Sequence, residues 1–281
     1  MYFMGFPFGR ERLVRPLTMT SNGKDVDRHR RGNFSTSRPA AGTIDADAPM
    51  FARLCAVTTD LDERWRLALM LALTFGTGVI DAVGFLGLDQ VFTGNMTGNV
   101  VILGMGIAGA EDLPILGPFV ALVGFLAGAT IGGRALRRAP GHWTGRVTVL
   151  FGVVSIALLS AAIVLLTVEV AQGTTTAYGV TTTLGAAMGL QAATARYVAV
   201  REITTVVVTS TLTGLAADSV LGAGKPGSSG RRVLAVLLIT AGAATGALLL
   251  QVHIGLGVLL AAGICAGVAA LGAWRRPVMQ M

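Results

Sequence analysis

The sequence predicts an all-α polytopic membrane protein: six transmembrane helices plus two re-entrant or broken helical segments, arranged as an inverted repeat. Three observations carry this expectation. The 281 residues are 53% hydrophobic and only 13% charged, whereas a soluble domain carries roughly 25% charged residues. Uncharged runs of spanning length recur: Leu113 to Gly133, Val147 to Val168, Val170 to Ala195, and Val233 to Trp274. The last is long enough for two spans of about 20 residues each. Beyond residue 66, Lys and Arg gather in only some of the linkers, and that subset fixes which segments cross.

Residues 1–65 differ in kind from the rest, with clusters such as "DVDRHRRGNFSTSRPAAG". No apolar stretch there is long enough for a signal-peptide core. They are expected to form a disordered cytoplasmic tail, with translation from Met19 or Met50 as the alternative. The membrane domain is expected over 66–274, and 275–281 is a second cytoplasmic tail. It holds eight apolar segments: 66–88, 91–109, 115–136, 147–168, 177–200, 203–221, 232–251 and 254–274. Basic residues close or follow the third (Arg134, Arg137, Arg138, Arg146) and the fifth (Arg196, Arg201). They also separate the sixth from the seventh (Lys225, Arg231, Arg232) and follow the eighth (Arg275, Arg276). The linkers after the first, second, fourth and seventh hold none.

Cytoplasmic loops collect Lys and Arg. If all eight segments crossed, the Arg134–Arg146 and Lys225–Arg232 clusters would lie on opposite faces. If segments two and six dip in and return, every Lys and Arg lies at the cytoplasmic face, and the outer face keeps Asp89, Glu111, Asp112 and Glu169. Composition agrees. Segment two contains "FTGNMTGNVV", with four small neutral polar side chains beside Gly94 and Gly98. Segment six contains Thr204, Thr205, Thr209, Ser210, Thr211 and Thr213. Non-helical backbone at membrane depth must be buried in protein or line a polar cavity, and small hydroxyls and amides can satisfy it. The alternative is two full helices whose threonines bond back to their own preceding turn.

An internal repeat relates 66–136 to 177–251. Gly78 and Ala82 match Gly189 and Ala193; Thr93, Thr97 and Gly98 match Thr209, Thr213 and Gly214; Gly124 and Gly128 match Gly242 and Gly246. The first unit begins inside and the second outside. Secondary transporters use such inverted repeats, with interrupted helices meeting near the midplane. The order "GVIDA", then "NMTGNVVILG", resembles the YoaK-like bacterial integral membrane proteins, a family of uncharacterised function. The resemblance covers roughly 66–274, and Asn95 to Asn99 is its most specific part. It implies a multi-pass inner (plasma) membrane protein of about six spans and supplies no substrate. That family often carries Gly-Leu-Gln-Asn and Thr-Gly-Asn in its second half. Ala192 and Leu215 stand at the Asn places here, which implies a less polar second half-site.

The expected substrate-binding residues are Asp81, Thr93, Asn95, Thr97, Asn99, Gln191, Thr209, Thr211 and Thr213. An acid at membrane depth is costly and usually faces a partner or water. Asp81 therefore reads either as a proton- or cation-coupling carboxylate or as a structural acid bonded to the Thr/Asn segment, with Asn95, Thr97 and Asn99 as its neighbours. Gln191 also suits hydrogen bonding between helices. Asp218 is expected to pair with Arg196 or Arg201, and Arg196 to snorkel to the interface.

Several functions find no support. Cys55 and Cys265 are too separated for a disulfide framework. His29, His142 and His253 are scattered, so neither a metal site nor a cofactor is expected. "GAGKPGSSG" lacks the Gly-Lys-Ser/Thr ending of a phosphate loop. "NMT" reads as a glycosylation sequon only by chance, because it lies at depth. The net charge of +7 belongs to one membrane face, so nucleic acid is not an expected partner. No nucleophile–base pair lies at depth, so an enzyme is not expected. The favoured reading is a secondary transporter whose partners are the lipid bilayer and a small polar solute. A passive channel and a non-transporting scaffold or accessory subunit stay open, as does the oligomeric state. In a background lacking Cys55 and Cys265, a cysteine probe at Asp112 is expected to label from outside and one at Gly227 from inside. Labelling of the Asp112 probe only from the cytoplasm would make segment two a full span.

Overall fold

The computed structural model describes residues 50–110, 112–139, 143–198, 208–218 and 229–275, with side chains for all but 50–62, 208, 210 and 229. These residues form eight helices and no strand: α1 Met50–Gly87, α2 Met96–Ile107, α3 Leu116–Leu136, α4 Gly145–Thr167, α5 Thr175–Val198, α6 Val208–Ala217, α7 Ser229–Val252 and α8 Ile254–Trp274. Each coincides with one apolar segment. Residues 50–65, grouped with the tail from sequence, are helical. The tail before them lies outside the described residues, as do Glu111, Arg201, Thr204, Thr205, Lys225, Gly227 and Arg276.

Five stretches are long and apolar enough to cross a membrane: Glu63–Gly87, Leu116–Leu136, Gly145–Thr167, Gly230–Val252 and Ile254–Trp274. Helix α5 is as long as these but richer in threonine. Thr182 donates to the Tyr178 carbonyl at 2.8 Å and Thr183 to the Gly179 carbonyl at 2.9 Å. Turned back on the preceding turn, these hydroxyls spend their polarity within the helix. Helices α2 and α6 differ in kind. The 12 residues of α2 rise only about 18 Å at 1.5 Å each, against a hydrocarbon core of about 30 Å; the 10 described residues of α6 rise about 15 Å.

Contacts fix the relative directions of the long helices. Trp143 lies against Gly272, the Ser155 hydroxyl donates to the Ala262 carbonyl at 2.9 Å, and Leu166 lies against Gly255. Helices α4 and α8 are therefore antiparallel. Val83 meets Gly257 and Ile254 meets Gly87, so α1 is antiparallel to α8 as well. Cationic residues share one end of the bundle. There Arg231 pairs with Glu63 at 3.1 Å, and Arg275 stacks over the Trp65 ring at 4.6 Å from its centroid. Asp218 pairs with Arg232 at 2.7 Å. Arg196 or Arg201 was the expected partner; Arg232 comes from α7, on which α6 packs, and Arg201 lies outside the described residues. At the opposite end, Gln172 donates to the Leu88 carbonyl and the Gly173 amide to Asp89, both at 2.7 Å, tying the α4–α5 loop to the end of α1.

Close helix approach depends on glycine. A Cβ at Gly78 would strike the Ile239 carbonyl, and one at Gly242 the Phe75 carbonyl, where α1 crosses α7. A Cβ at Gly189 would strike the Phe125 carbonyl, and one at Gly128 the Ala186 carbonyl, where α3 crosses α5. Trp143, fully buried, stacks on Phe151 at 5.6 Å and covers Gly272. The outward surface is apolar: Phe119, Val123 and Leu126 on α3, Val149 and Ile156 on α4, and Leu237 and Leu248 on α7 are exposed. A water-facing surface rarely carries so continuous an apolar cover. Gly189→Val is expected to destabilise the fold by roughly 1–3 kcal/mol or more, the cost of overpacking. Gly152→Val, with no neighbour within 4 Å of its Cβ position, is expected to be silent. Thermal melting of the detergent-solubilised variants checks both.

Candidate functional site

Helix α1 ends at Gly87, and the chain reverses through Gln90, whose φ of 51° is in the left-handed region. It then runs without helix from Val91 to Asn95 before α2 begins. This leg travels back along α1. The Val91 amide bonds the Gly84 carbonyl at 3.2 Å, and Gly94 lies against the Thr77 side chain. Helix α2 then retraces the same depth. Its Gly106 reaches Ile115, and Gly117 at the start of α3 lies against Asp89 and Val91. The chain thus leaves the end of α1 at Leu88 and returns to that end at Gly117. Gly94 and Gly98 are required at the bottom: a Cβ on the first would crowd Thr77, and one on the second the Phe92 ring.

Two side chains hold this excursion in place. Asp81 Oδ1 accepts from the Thr93 amide at 2.9 Å and from the Gly94 amide at 2.7 Å. Asn99, fully buried, accepts from the Phe92 amide at 2.8 Å and donates back to the Phe92 carbonyl. Together they bond backbone groups that no helix ladder serves. The Asp81 carboxylate also sits just ahead of the α2 N-terminus, where the helix dipole favours negative charge.

Beside this arrangement lies a cavity of about 700 Å³. Its walls include Thr77, Asp81 and Phe85 of α1, Phe92 and Gly94 of the non-helical leg, and Asn95 with Met96, Thr97, Gly98, Val101 and Ile102 of α2. Phe125 of α3, Thr209 of α6 and Ile239 of α7 complete the described lining. Thr77, Asp81 and Phe85 follow at four-residue spacing and so share one helix face. Phe85 and Phe92 stack at 4.9 Å.

The expected site residues divide into three groups. Asp81, Asn95, Thr97 and Thr209 line the cavity. Thr93, Asn99 and Gln191 are buried behind it; Gln191 donates to the Thr77 hydroxyl at 3.3 Å and accepts from the Cys265 thiol at 3.6 Å. Thr211 and Thr213 lie on α6 away from the lining. Asp81 bonds the Thr93 and Gly94 amides and the Asn95 amide; Asn95, Thr97 and Asn99 were the neighbours expected from sequence, and Asn95 and Thr97 line the same cavity. Sequence reasoning passed over Thr77 and the apolar wall of Phe85, Phe92, Phe125 and Ile239. The i, i+4, i+8 spacing of Thr77, Asp81 and Phe85 was the available signal.

A family model described as "Protein of unknown function (DUF1275)" matches residues 69–271. The UPF0700 transmembrane protein YoaK of Bacillus subtilis (strain 168) is 28% identical over 155 residues, which is 55% of this chain and 67% of that protein. No solved structure matches the chain.

Asn99→Ala removes the donor and the acceptor that serve Phe92. It is expected to lower stability by about 1–3 kcal/mol, the cost of unpaired buried polar groups. Faster hydrogen exchange at the Phe92 and Thr93 amides, measured by mass spectrometry, would mark the loosened leg; unchanged exchange would deny Asn99 this role.

Proposed function

We propose, from the premise that this chain belongs to the DUF1275 family of YoaK-like membrane proteins, that it is a secondary transporter of a small polar solute in the inner membrane. The observation that carries this reading is the cavity of about 700 Å³ shared by the short helix α2, through Asn95 and Thr97, and by α6, through Thr209. Its volume lies in the roughly 300–1,000 Å³ range of small-molecule sites. Asp81 supplies the ionisable group through which solute movement is coupled to a proton or another cation.

Six spans support this role. Eight successive crossings would set α4 and α8 parallel, whereas their contacts run antiparallel. With α8 antiparallel to α1 also, one segment between α1 and α4 and one between α4 and α8 fails to cross, and α2 and α6 are the short ones. The cationic end is then cytoplasmic by the distribution of Lys and Arg, with both chain termini on that side.

The repeat draws support from paired contacts. Helix α1 packs on α7 and α8 as α5 packs on α3 and α4, and α2 meets α3 as α6 meets α7. Gly78 on Ile239 corresponds to Gly189 on Phe125, Gly242 on Phe75 to Gly128 on Ala186, and Gly246 on Val79 to Gly132 on Leu190. These pairs favour matching Gly128 with Gly242 and Gly132 with Gly246, one helical turn away from the alignment read in sequence. Two units of opposite orientation converging on one cavity are the arrangement in which alternating access is built.

In proteoliposomes, a transporter is expected to give saturable uptake with counterflow, and Asp81→Asn to lose concentrative uptake. Thr97→Trp and Thr209→Trp, which fill the cavity from α2 and α6, are expected to abolish uptake while leaving melting temperature near wild type. Non-saturating flux without counterflow would point to a channel. Full uptake by both Trp variants would remove the cavity from the path.

A further inference from the structure

We propose that the cavity at Asp81 receives a small organic cation, an alkylammonium whose charged head meets the Asp81 carboxylate and whose apolar part lies against Phe92, Phe125 and Ile239. The inference rests on the solute-site reading above and names the class of solute.

Charge comes first. Among the described lining residues Asp81 is the one ionisable side chain, and no Lys or Arg is present. A helix N-terminus facing a cavity would otherwise invite an anion. Here the protein's own carboxylate already bonds the Thr93 and Gly94 amides of the leg that leads into α2. Both bonds fall on Oδ1, and Asp81 is not fully buried, so the group keeps a face toward the cavity. An anionic solute would meet a like charge that no described lining residue offsets.

Volume and wall chemistry come next. A dehydrated inorganic cation such as calcium takes about six to eight oxygens at roughly 2.3–2.6 Å. A cavity of about 700 Å³ walled largely by phenyl and aliphatic groups offers neither that density of oxygens nor that closeness. The same walls suit alkyl groups, whose removal from water is favourable at about 25 cal/mol per Å², and aromatic rings attract cations. A polyhydroxylated neutral solute would leave most of its hydroxyls unpaired against Phe92, Phe125 and Ile239. The hydroxyls and amide of Thr97, Thr209 and Asn95 are enough to serve one ammonium head beside the carboxylate.

Three isosteric probes test this on the full chain in nanodiscs by titration calorimetry: n-butylammonium, n-butyrate and n-butanol. Butylammonium is expected to bind at least about tenfold more tightly than butanol, and butyrate not at all. Asp81→Asn keeps an oxygen for the Thr93 and Gly94 amides while removing the charge, and should reduce butylammonium to the level of butanol. Should that variant fail to fold, Val101→Lys decides. Val101 lines the cavity and is about half exposed, so a lysine there should abolish butylammonium binding and admit butyrate. Butyrate binding as well as butylammonium to the wild type, no binding of any of the three, or butylammonium binding untouched by either substitution would overturn the proposal. Flux separates the two readings. Asp81-dependent butylammonium binding with no movement across proteoliposomes leaves the cation site standing and removes the transporter. Saturable transport with no preference among the three probes does the reverse.

Discussion

A peptide amide at membrane depth has no water to bond, and leaving one unpaired costs several kcal/mol. The chain from Val91 to Asn95 is not helical, so its amides need partners from elsewhere. Asp81 and Asn99 are those partners, the first bonding Thr93 and Gly94 and the second bonding both backbone groups of Phe92. This requirement explains why an acid lies deep in the first helix and why small amides and glycines crowd the segment that follows. It also places the cavity, because a leg pinned against α1 at the level of Thr77 leaves space on its other side. Asp81 therefore serves the architecture while lining the cavity, so the two readings offered by the sequence need not exclude one another.

The second constraint is distance between backbones. Apolar side chains gain little by leaving lipid for a helix interface, so close packing must supply the attraction. The glycines of α1 on α7 and of α3 on α5 let carbonyls sit where a Cβ would be. Against this dry packing, the polar bonds described within the bundle of long helices include Gln191 to Thr77, Cys265 to Gln191, and Ser155 to Ala262. Each satisfies a group that would otherwise be stranded. The exposed Glu63–Arg231 pair adds little by comparison, since surface ion pairs contribute about 0–1 kcal/mol.

Much of the fold was readable in the sequence because lipid imposes coarse, one-dimensional rules. Apolar length gave eight segments that each overlap one helix, although α1 begins at Met50 and not near 66, and the distribution of Arg and Lys singled out segments two and six, the first of which holds the short helix α2. The cavity was read less well. Small polar residues pointed to Asp81, Asn95, Thr97 and Thr209, but polarity alone did not separate lining from support. Asn99 and Gln191 are spent on backbone and helix contacts. The phenyl walls escaped notice because Phe is unremarkable in an apolar chain, and only the shared face of Thr77, Asp81 and Phe85 could have shown where they converge. The glycine matches belong to the proposed repeat, and small residues every four positions have no unique register. Arg232 was not foreseen beside Asp218 for a related reason: which helix lies beside α6 is a matter of tertiary packing.

The packing of α1 has a mechanical consequence. It rests on α7 and α8, whereas α5 rests on α3 and α4, so the first helix of each sequence half is lodged among helices of the other. Chain order and packing then do not coincide. By these contacts the helices group into two bodies, α1 with α7 and α8 and α3 with α4 and α5, held together by the extensive interface of α4 with α8. Cutting the gene between its halves would split both bodies, whereas a circularly permuted chain opened just after α1 would keep each one contiguous.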